Sequence, residues 1–328
     1  MPADRQLIIG QTPDPHMDAL AREVTKCGGS PFLYSTFPFD QTPSQLSYVF
    51  GGRALRLTLR EGSEQIAGDD IAGVFWRVKW PLFGLPENNP AAADHDFQFR
   101  EWERVIAALY VATPDARWLN RPPNHHAAGN KLLQLRLAQE IGLSLPATVI
   151  SNDAAEIEAL FEQGDVIYKT LSHPYYSDRD LILTTKIARA DFEQRRETIA
   201  LAPCLFQSLV PKAYELRVIV VGESVIPVMI KSQLYGHTQV DWRIDQLRPE
   251  LYELTTLPPD VRSKLVDLMT RLGLIYGAID LIVTPDGDYI FLEINPGGQW
   301  LWMENLKGIP ITREIAAYLV ERQPMQFA

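Results

Sequence analysis

The chain is predicted to be α+β. Three observations carry this. The first third alternates short apolar runs with segments of helical period. The last third holds paired strand patterns separated by turn signals. The 328 residues, 46% hydrophobic and 22% charged, supply enough apolar material for one large or several smaller buried lobes.

Taken in order, residues 7–9 form an apolar run ending at Gly10. Met17, Leu20 and Val24 mark a helix over 17–27 that stops at Gly28-Gly29. Residues 32–34 read as a strand, 46–50 and 54–59 as a hairpin about Gly51-Gly52, and 74–76 as a further strand. An irregular stretch over 79–90 carries three prolines. Trp102, Val105, Ile106 and Leu109 mark a helix over 97–111, and the prolines at 113–123 mark the end of the first lobe. A second block opens with a helix over 130–141, followed by a strand at 147–150. Asn152 or Asp153 is placed to cap the helix 154–161. Strands at 166–170 and 181–185 flank a polar loop over 172–180, and 205–210 is another strand. The third block has strands 215–221 and 225–230 and a helix over 259–272. Strands 278–284 and 289–295 follow, then helices near 301–306 and 312–320. The lobes divide at 1–115, 116–210 and 211–328.

Composition excludes several function classes. The formal charge is −10, which disfavours non-specific binding to nucleic acid or an anionic membrane. Cys27 and Cys204 lack metal spacing and read as reduced thiols. Apolar runs are shorter than the roughly 18 residues a membrane span needs. Residues 1–5 lack the pattern of a signal peptide. A cytoplasmic protein is therefore expected. His125-His126 has no third ligand at metal spacing and reads as a surface loop pair.

The strongest chemistry lies between Gly277 and Pro296. Two apolar strands flank Pro285-Asp286-Gly287-Asp288, and Asp-Gly favours a two-residue hairpin turn. With Thr284 facing Tyr289, counting back sets Asp280 opposite Glu293. Opposed residues share a sheet face, and Asn295, two residues on, shares it too. Bare carboxylates so placed repel, and a cation between them removes the repulsion. Two carboxylates and an amide oxygen suit Mg²⁺, which completes its shell with substrate phosphates.

These residues resemble a family. The string Asp280…Phe291-Leu-Glu293-Ile-Asn295-Pro296-Gly297-Gly298 is similar to the metal hairpin of ATP-grasp enzymes. Asn120-Arg-Pro-Pro-Asn124, Asn130-Lys131-Leu-Leu-Gln134, Val166-Ile-Tyr-Lys169-Thr-Leu and Phe206-Gln-Ser-Leu-Val210…Glu215-Leu-Arg217-Val218 resemble the ribosomal-protein S6 glutamate ligase branch, in order over about residues 115–322. Within it the chain looks most like maturases of ribosomal peptides of the graspetide or microviridin type, on the Lys169-Thr-Leu run, Phe75-Trp76-Arg77 and the tail from Gln299 to Glu304.

The resemblance implies an ATP-grasp fold, two α+β lobes clasping ATP, after an α/β pre-ATP-grasp domain. It implies an ADP-forming ligase that joins a carboxylate to an amine or hydroxyl through an acyl-phosphate. Lys131 and Lys169 are expected at the ATP phosphates, and Gln207, Ser208, Leu209 and Val210 at the adenine. Glu215 is expected near the ribose or hinge. Arg217 is expected at the acyl-phosphate or acceptor, with plain salt-bridging to Glu215 as its alternative. Lys231 and Arg243 are expected at the transferring phosphate, and Trp300, Trp302 and Glu304 in the acceptor pocket. Asp280, Glu293 and Asn295 hold one or two Mg²⁺, with Mn²⁺ as an alternative. The implied substrate is a carboxylate-bearing precursor peptide with a leader, and the implied assembly a homodimer. The loop over 171–180 has no glycine, unlike many ATP-grasp phosphate lids. Two other readings stand beside this one: a ligase adding glutamate or another amino acid to a protein tail or small acceptor, and a nucleotide-binding module without catalysis.

Overall fold

The computed structural model describes residues 4–36, 44–52, 54–78, 92–172 and 182–320. The irregular stretch over 79–90, residues 173–180 of the candidate lid and Leu181 of an expected strand lie outside them.

The first lobe is β1 (Arg5–Gly10), α1 (Pro15–Lys26), β2 (Ser30–Ser35), β3 (Gln45–Gly51), β4 (Ala54–Glu61), β5 (Glu64–Ala67), β6 (Ile71–Arg77), α2 (Ala92–Ala107), α3 (Leu109–Ala112) and β7 (Arg117–Leu119). Its parallel sheet runs β2-β1-β6-β7, and the expected hairpin is extended by β5 into an antiparallel meander, β3-β4-β5. The sheet therefore reaches Leu119, past the lobe boundary expected at 115. Both faces of the parallel sheet are buried, and period-two alternation assigns them. Leu7, Ile9, Val74 and Trp76 pack toward the meander and α2. Ile8 and Phe75 pack on the opposite side, with α1.

The chain continues as α4 (Pro122–Ala128), α5 (Lys131–Glu140), β8 (Thr148–Ser151), α6 (Ala154–Phe161), β9 (Val166–Lys169), β10 (Thr185–Ile187), α7 (Arg189–Gln194), α8 (Arg196–Ile199) and β11 (Cys204–Ser208). β10-β9-β11-β8 form an antiparallel sheet with its own core, centred on Ile157, Val166, Phe192 and Phe206. Asp153 caps α6, accepting from Ala155 N–H at 2.9 Å. Helices α4 and α5 belong elsewhere: Ala128, Ala138 and Leu143 pack with the third lobe.

That lobe is β12 (Tyr214–Val221), β13 (Ser224–Ile230), β14 (Tyr252–Leu254), α9 (Pro259–Arg271), β15 (Tyr276–Val283), β16 (Tyr289–Asn295), α10 (Leu301–Lys307) and α11 (Ile311–Val320). Its sheet, β14-β13-β12-β15-β16, is antiparallel. Leu216, Val218 and Val220 face α9 and α5. Ile219 and Val221 face a second core shared with the first lobe, where Met17, Leu20 and Val24 of α1 meet Ile311, Ile315 and Leu319 of α11. Among the described residues no helix is long and apolar enough to cross a membrane.

The first and third lobes are also joined by polar contacts. Asp14 caps α1 by accepting from His16 N–H at 2.8 Å, and its other oxygen accepts from Arg77 Nε at 2.7 Å. Arg77 also donates Nη1 to the Gly297 carbonyl at 3.4 Å, and its guanidinium lies 5.5 Å from the Trp300 ring centre. Burial acts to raise the Asp14 carboxyl, but its bond to His16 and the charge of Arg77 outweigh this and hold it well below the usual carboxylate range. A carboxyl depressed on folding stabilises the protein above its unfolded value of ~3.9, and the gain is lost as pH falls toward the folded value. Asp14→Asn is thus expected to cost about 3–5 kcal/mol at neutral pH, because it leaves the buried Arg77 without its carboxylate. In thermal unfolding followed across pH, the gap between wild type and variant should narrow below about pH 4. A gap independent of pH would refute the pairing.

Candidate active site

The site is one row of the third-lobe sheet. Arg217 pairs with Asp280 across β12 and β15, and Asp280 pairs with Glu293 across β15 and β16. Asn295 stands opposite Ala278, so Asp280, Glu293 and Asn295 share a face, as the alternation requires. The register expected from the sequence holds at the carboxylates but not at the turn. Val283, not Thr284, faces Tyr289, and the connection spans 284–288, with Gly287 at φ +89°. That loop offsets the pairing by one residue. A bulge, in which Leu292 is the extra residue between Phe291 and Glu293, restores it.

Cations surround the acidic pair. Arg217 Nη1 donates to both Asp280 oxygens, at 3.1 and 2.9 Å. The Lys131 ammonium bonds Glu293. Asn130 caps α5, accepting from Leu132 N–H and Leu133 N–H at 3.0 and 3.2 Å, so Lys131 begins the helix with its positive end turned to the acids. Lys169 ends β9 from the opposite lobe. Burial pushes its ammonium down, opposed by the charge of Glu293. Arg243 donates Nε to Asp241 at 2.8 Å and also senses Glu293 and Asp280. Asp241 accepts from Thr184 N–H at 3.1 Å, which joins the two lobes.

Burial raises Asp280 to about 6, Arg217 opposing and the Glu293 charge adding to it. Burial also acts to raise Glu293, but Lys131 and Lys169 overcome it and hold it at about 2. Two opposed carboxylates with ammonium groups above them fit a small hard cation completed by phosphate oxygens. The donor set matches such a shared shell. Among the described residues no group of three His, Cys, Asp or Glu is arranged to hold a metal unaided. Asn295 Oδ1 accepts from Gly297 N–H at 3.0 Å, which fixes the amide.

The expected hinge lies between β11 and β12. Ser208 N–H donates to Ala147 O at 3.0 Å and Leu209 N–H to Asp165 O at 2.7 Å. Gln207 donates Nε2 to Thr148 Oγ1 at 3.0 Å, while Gln207 Oε1 and Ser208 Oγ are buried without a partner. Unanswered polar atoms of this kind fit the edge of a base or a ribose hydroxyl. Glu215 is buried and accepts from Lys212 Nζ at 2.6 Å.

Other expectations land differently. Arg217 is bonded to Asp280 rather than to Glu215. The Lys231 ammonium pairs with Glu253 on β14, away from the acidic row. Trp300 is fully buried, with Nε1 donating to Thr312 Oγ1 at 2.8 Å, so it lines no pocket. Glu304 accepts from Thr312 N–H at 2.9 Å, and Trp302 packs on Trp242 and Tyr252. First-lobe residues His16, Phe75 and Arg77 cover Trp300, whereas Trp302 and Glu304 are half-buried among third-lobe residues. His125 lies on α4 rather than in a loop, and burial holds its ring at about 4. Asn120 had no expected role beyond its motif. It donates Nδ2 to Tyr276 O and Pro296 O at 2.8 and 3.1 Å and accepts from Ile275 and Tyr276 N–H.

No family model matches the chain, and no curated protein matches it. Solved structures do. A Chryseobacterium gregarium RiPP-associated ATP-grasp ligase, complexed with ADP and a leader and core peptide, is 27% identical, with a TM-score of 0.86 over 98% of both chains. The macrocyclase MdnC of Microcystis aeruginosa, bound with precursor peptide MdnA, is 28% identical, with a TM-score of 0.82 over 97% of this chain and 99% of that one. A RimK-domain ATP-grasp protein of Sphaerobacter thermophilus, at 16% identity and a TM-score of 0.59, shares the fold over 97% of this chain. The fold is ATP-grasp.

The charge row has a measurable consequence. Arg217→Met strands Asp280 beside Glu293, and loss of one partner of a buried pair costs about 3–5 kcal/mol. Denaturant unfolding of the ligand-free protein checks this. Unchanged stability would mean that Arg217 does not hold Asp280.

Proposed function

We propose that this ATP-grasp protein is an ADP-forming ligase that joins side-chain carboxylates of a ribosomal precursor peptide to hydroxyl or amine groups of the same peptide. The observation that carries the reading is the Arg217-Asp280-Glu293 row, faced by Lys131 from a helix N-terminus and by Lys169 from the opposite lobe. Opposed acids under converging lysines are what a magnesium-bound polyphosphate needs. Full-length similarity to ligases bound to precursor peptides supports the peptide as substrate.

In this reading Gln207, Ser208, Leu209 and Val210 meet the adenine, and Glu215 meets the ribose. Lys131 and Lys169 hold the phosphate oxygens as compact charges. Asp280, Glu293 and Asn295 would hold one or two Mg²⁺ ions, or Mn²⁺ in their place. A metal held there would supply positive charge to offset that of the phosphates. Arg217 keeps Asp280 ionised and oriented. Arg243, pinned by Asp241, and Lys231, once released from Glu253, neutralise charge on the transferred phosphoryl group. A substrate carboxylate attacks the terminal phosphate, ADP leaves, and the acyl-phosphate is captured by the acceptor with release of phosphate. Closure of the central lobe excludes water from that intermediate. The enzyme acts in the cytoplasm as a homodimer.

Glu293→Gln is expected to abolish ADP production with retention of the fold, seen by coupled assay and circular dichroism. Full activity would remove Glu293 from the metal site. Lys169→Met should weaken ATP binding about tenfold or more, since it deletes a partly desolvated charge-assisted contact. Unchanged affinity by calorimetry would take Lys169 out of the nucleotide site. Product mass separates the chemistries. Loss of one water per link means cyclisation, whereas added mass means transfer of an amino acid. Nucleotide binding with no ADP formed, across candidate peptides, means a module without catalysis.

A further inference from the structure

We infer that Gln134 is a positioning residue that tunes metal affinity by acting as a substitute strand along β16. The inference rests on the reading of Asp280, Glu293 and Asn295 as the magnesium face. Among the described residues β16 is the outer strand of its sheet, and its outer edge carries an isolated bridge to Ser144 at Ile290 but no neighbouring strand. At that edge Gln134 Oε1 accepts from Ile294 N–H at 3.0 Å, and Gln134 Nε2 donates to Ile294 O at 2.8 Å. These are the two bonds that a paired strand residue would make. The remaining Nε2 hydrogen goes to Ala128 O at 2.7 Å, which fixes the amide against α4. Gln134 is only 3% exposed, so each bond lies in a setting where an unmade one is costly.

The residue it grips is the informative part. Ile294 separates Glu293 from Asn295, and its side chain points to the opposite face of the sheet. The main-chain orientation at Ile294 therefore sets the angle between the two flanking ligands. Lys131, whose ammonium bonds Glu293, lies one helical turn before Gln134 on the same face of α5. A single helix face thus fixes the carboxylate through an ion pair and the intervening peptide group through two hydrogen bonds. Ligand constellations need placement to within about 0.5 Å, and groups beyond the ligands supply it. Gln134 touches neither nucleotide nor metal in this arrangement; it acts through Ile294.

The test uses Gln134→Met, which is nearly isosteric and makes neither bond, and Gln134→Glu, which keeps an acceptor for Ile294 N–H. ADP binding to the full-length protein is measured by calorimetry in EDTA and then across a Mg²⁺ series. Gln134→Met is expected to raise the Mg²⁺ concentration for half-maximal enhancement of ADP binding about tenfold, the low end for loss of a group supporting a metal ligand. ADP affinity in EDTA should stay at the wild-type value, because the hinge and lysines are untouched. Gln134→Glu should shift the Mg²⁺ requirement in the same direction and by less, and it carries the test if the methionine variant does not fold. A folded variant with the wild-type Mg²⁺ requirement overturns the inference, even if its melting temperature falls. If ADP binding by the wild type itself ignores Mg²⁺, the metal reading fails, and this inference with it.

Discussion

The arrangement depends on holding two carboxylates face to face in a partly desolvated sheet. Asp280 and Glu293 repel, and burial penalises both charges. Each is answered separately: Asp280 by Arg217 within the sheet, and Glu293 by Lys131 from a helix packed on its edge. This division matters chemically. Arg217 is a permanent in-plane partner that can stay when ligand binds. Lys131 and Lys169 approach the acids from a helix N-terminus and from the opposite lobe, outside the sheet that carries them.

Much of this was legible from residue order, for uneven reasons. Alternation of apolar residues and an Asp-Gly turn located the hairpin and brought Asp280 opposite Glu293. Yet the pairing near the turn is offset by one residue, and the bulge at Leu292 cancels the offset. Two deviations compensate, and neither has a residue signature. Prolines at 113–123 read as a break between lobes. In the structure Pro122 opens α4, where its missing N–H costs nothing, and β7 lies just before it. Trp300 and Glu304 looked like pocket residues because large aromatic and acidic groups beside a metal motif invite that reading. Trp300 is covered by a lobe hundreds of residues away in sequence, and Glu304 is held by Thr312 eight residues on.

The support of the segment from Ile294 to Gly297 was least legible. Gln134 from α5, Asn120 from the link between β7 and α4, and Arg77 from β6 all bond to main-chain atoms between Ile294 and Gly297. A side chain that recognises a backbone carbonyl needs no particular residue at its target, so no pattern along the chain reveals it. Gly298 is a partial exception. A side chain there would meet Ala278 Cβ at 2.4 Å and Arg217 Nη2 at 3.0 Å, which explains why the turn after Asn295 carries a glycine.

The last described helix, α11, has a consequence for biosynthesis. It lies against α1 and the first parallel sheet so closely that Gly73 has no room for a methyl group beside the Leu319 carbonyl, and Arg117 donates to Tyr318 O at 3.0 Å. Until residues 311–320 leave the ribosome, the outer face around Ile8, Phe75 and Met17 lacks its cover. The lobe that emerges first therefore cannot finish folding first. Its full packing awaits the end of the third lobe, whereas the central sheet carries a core of its own.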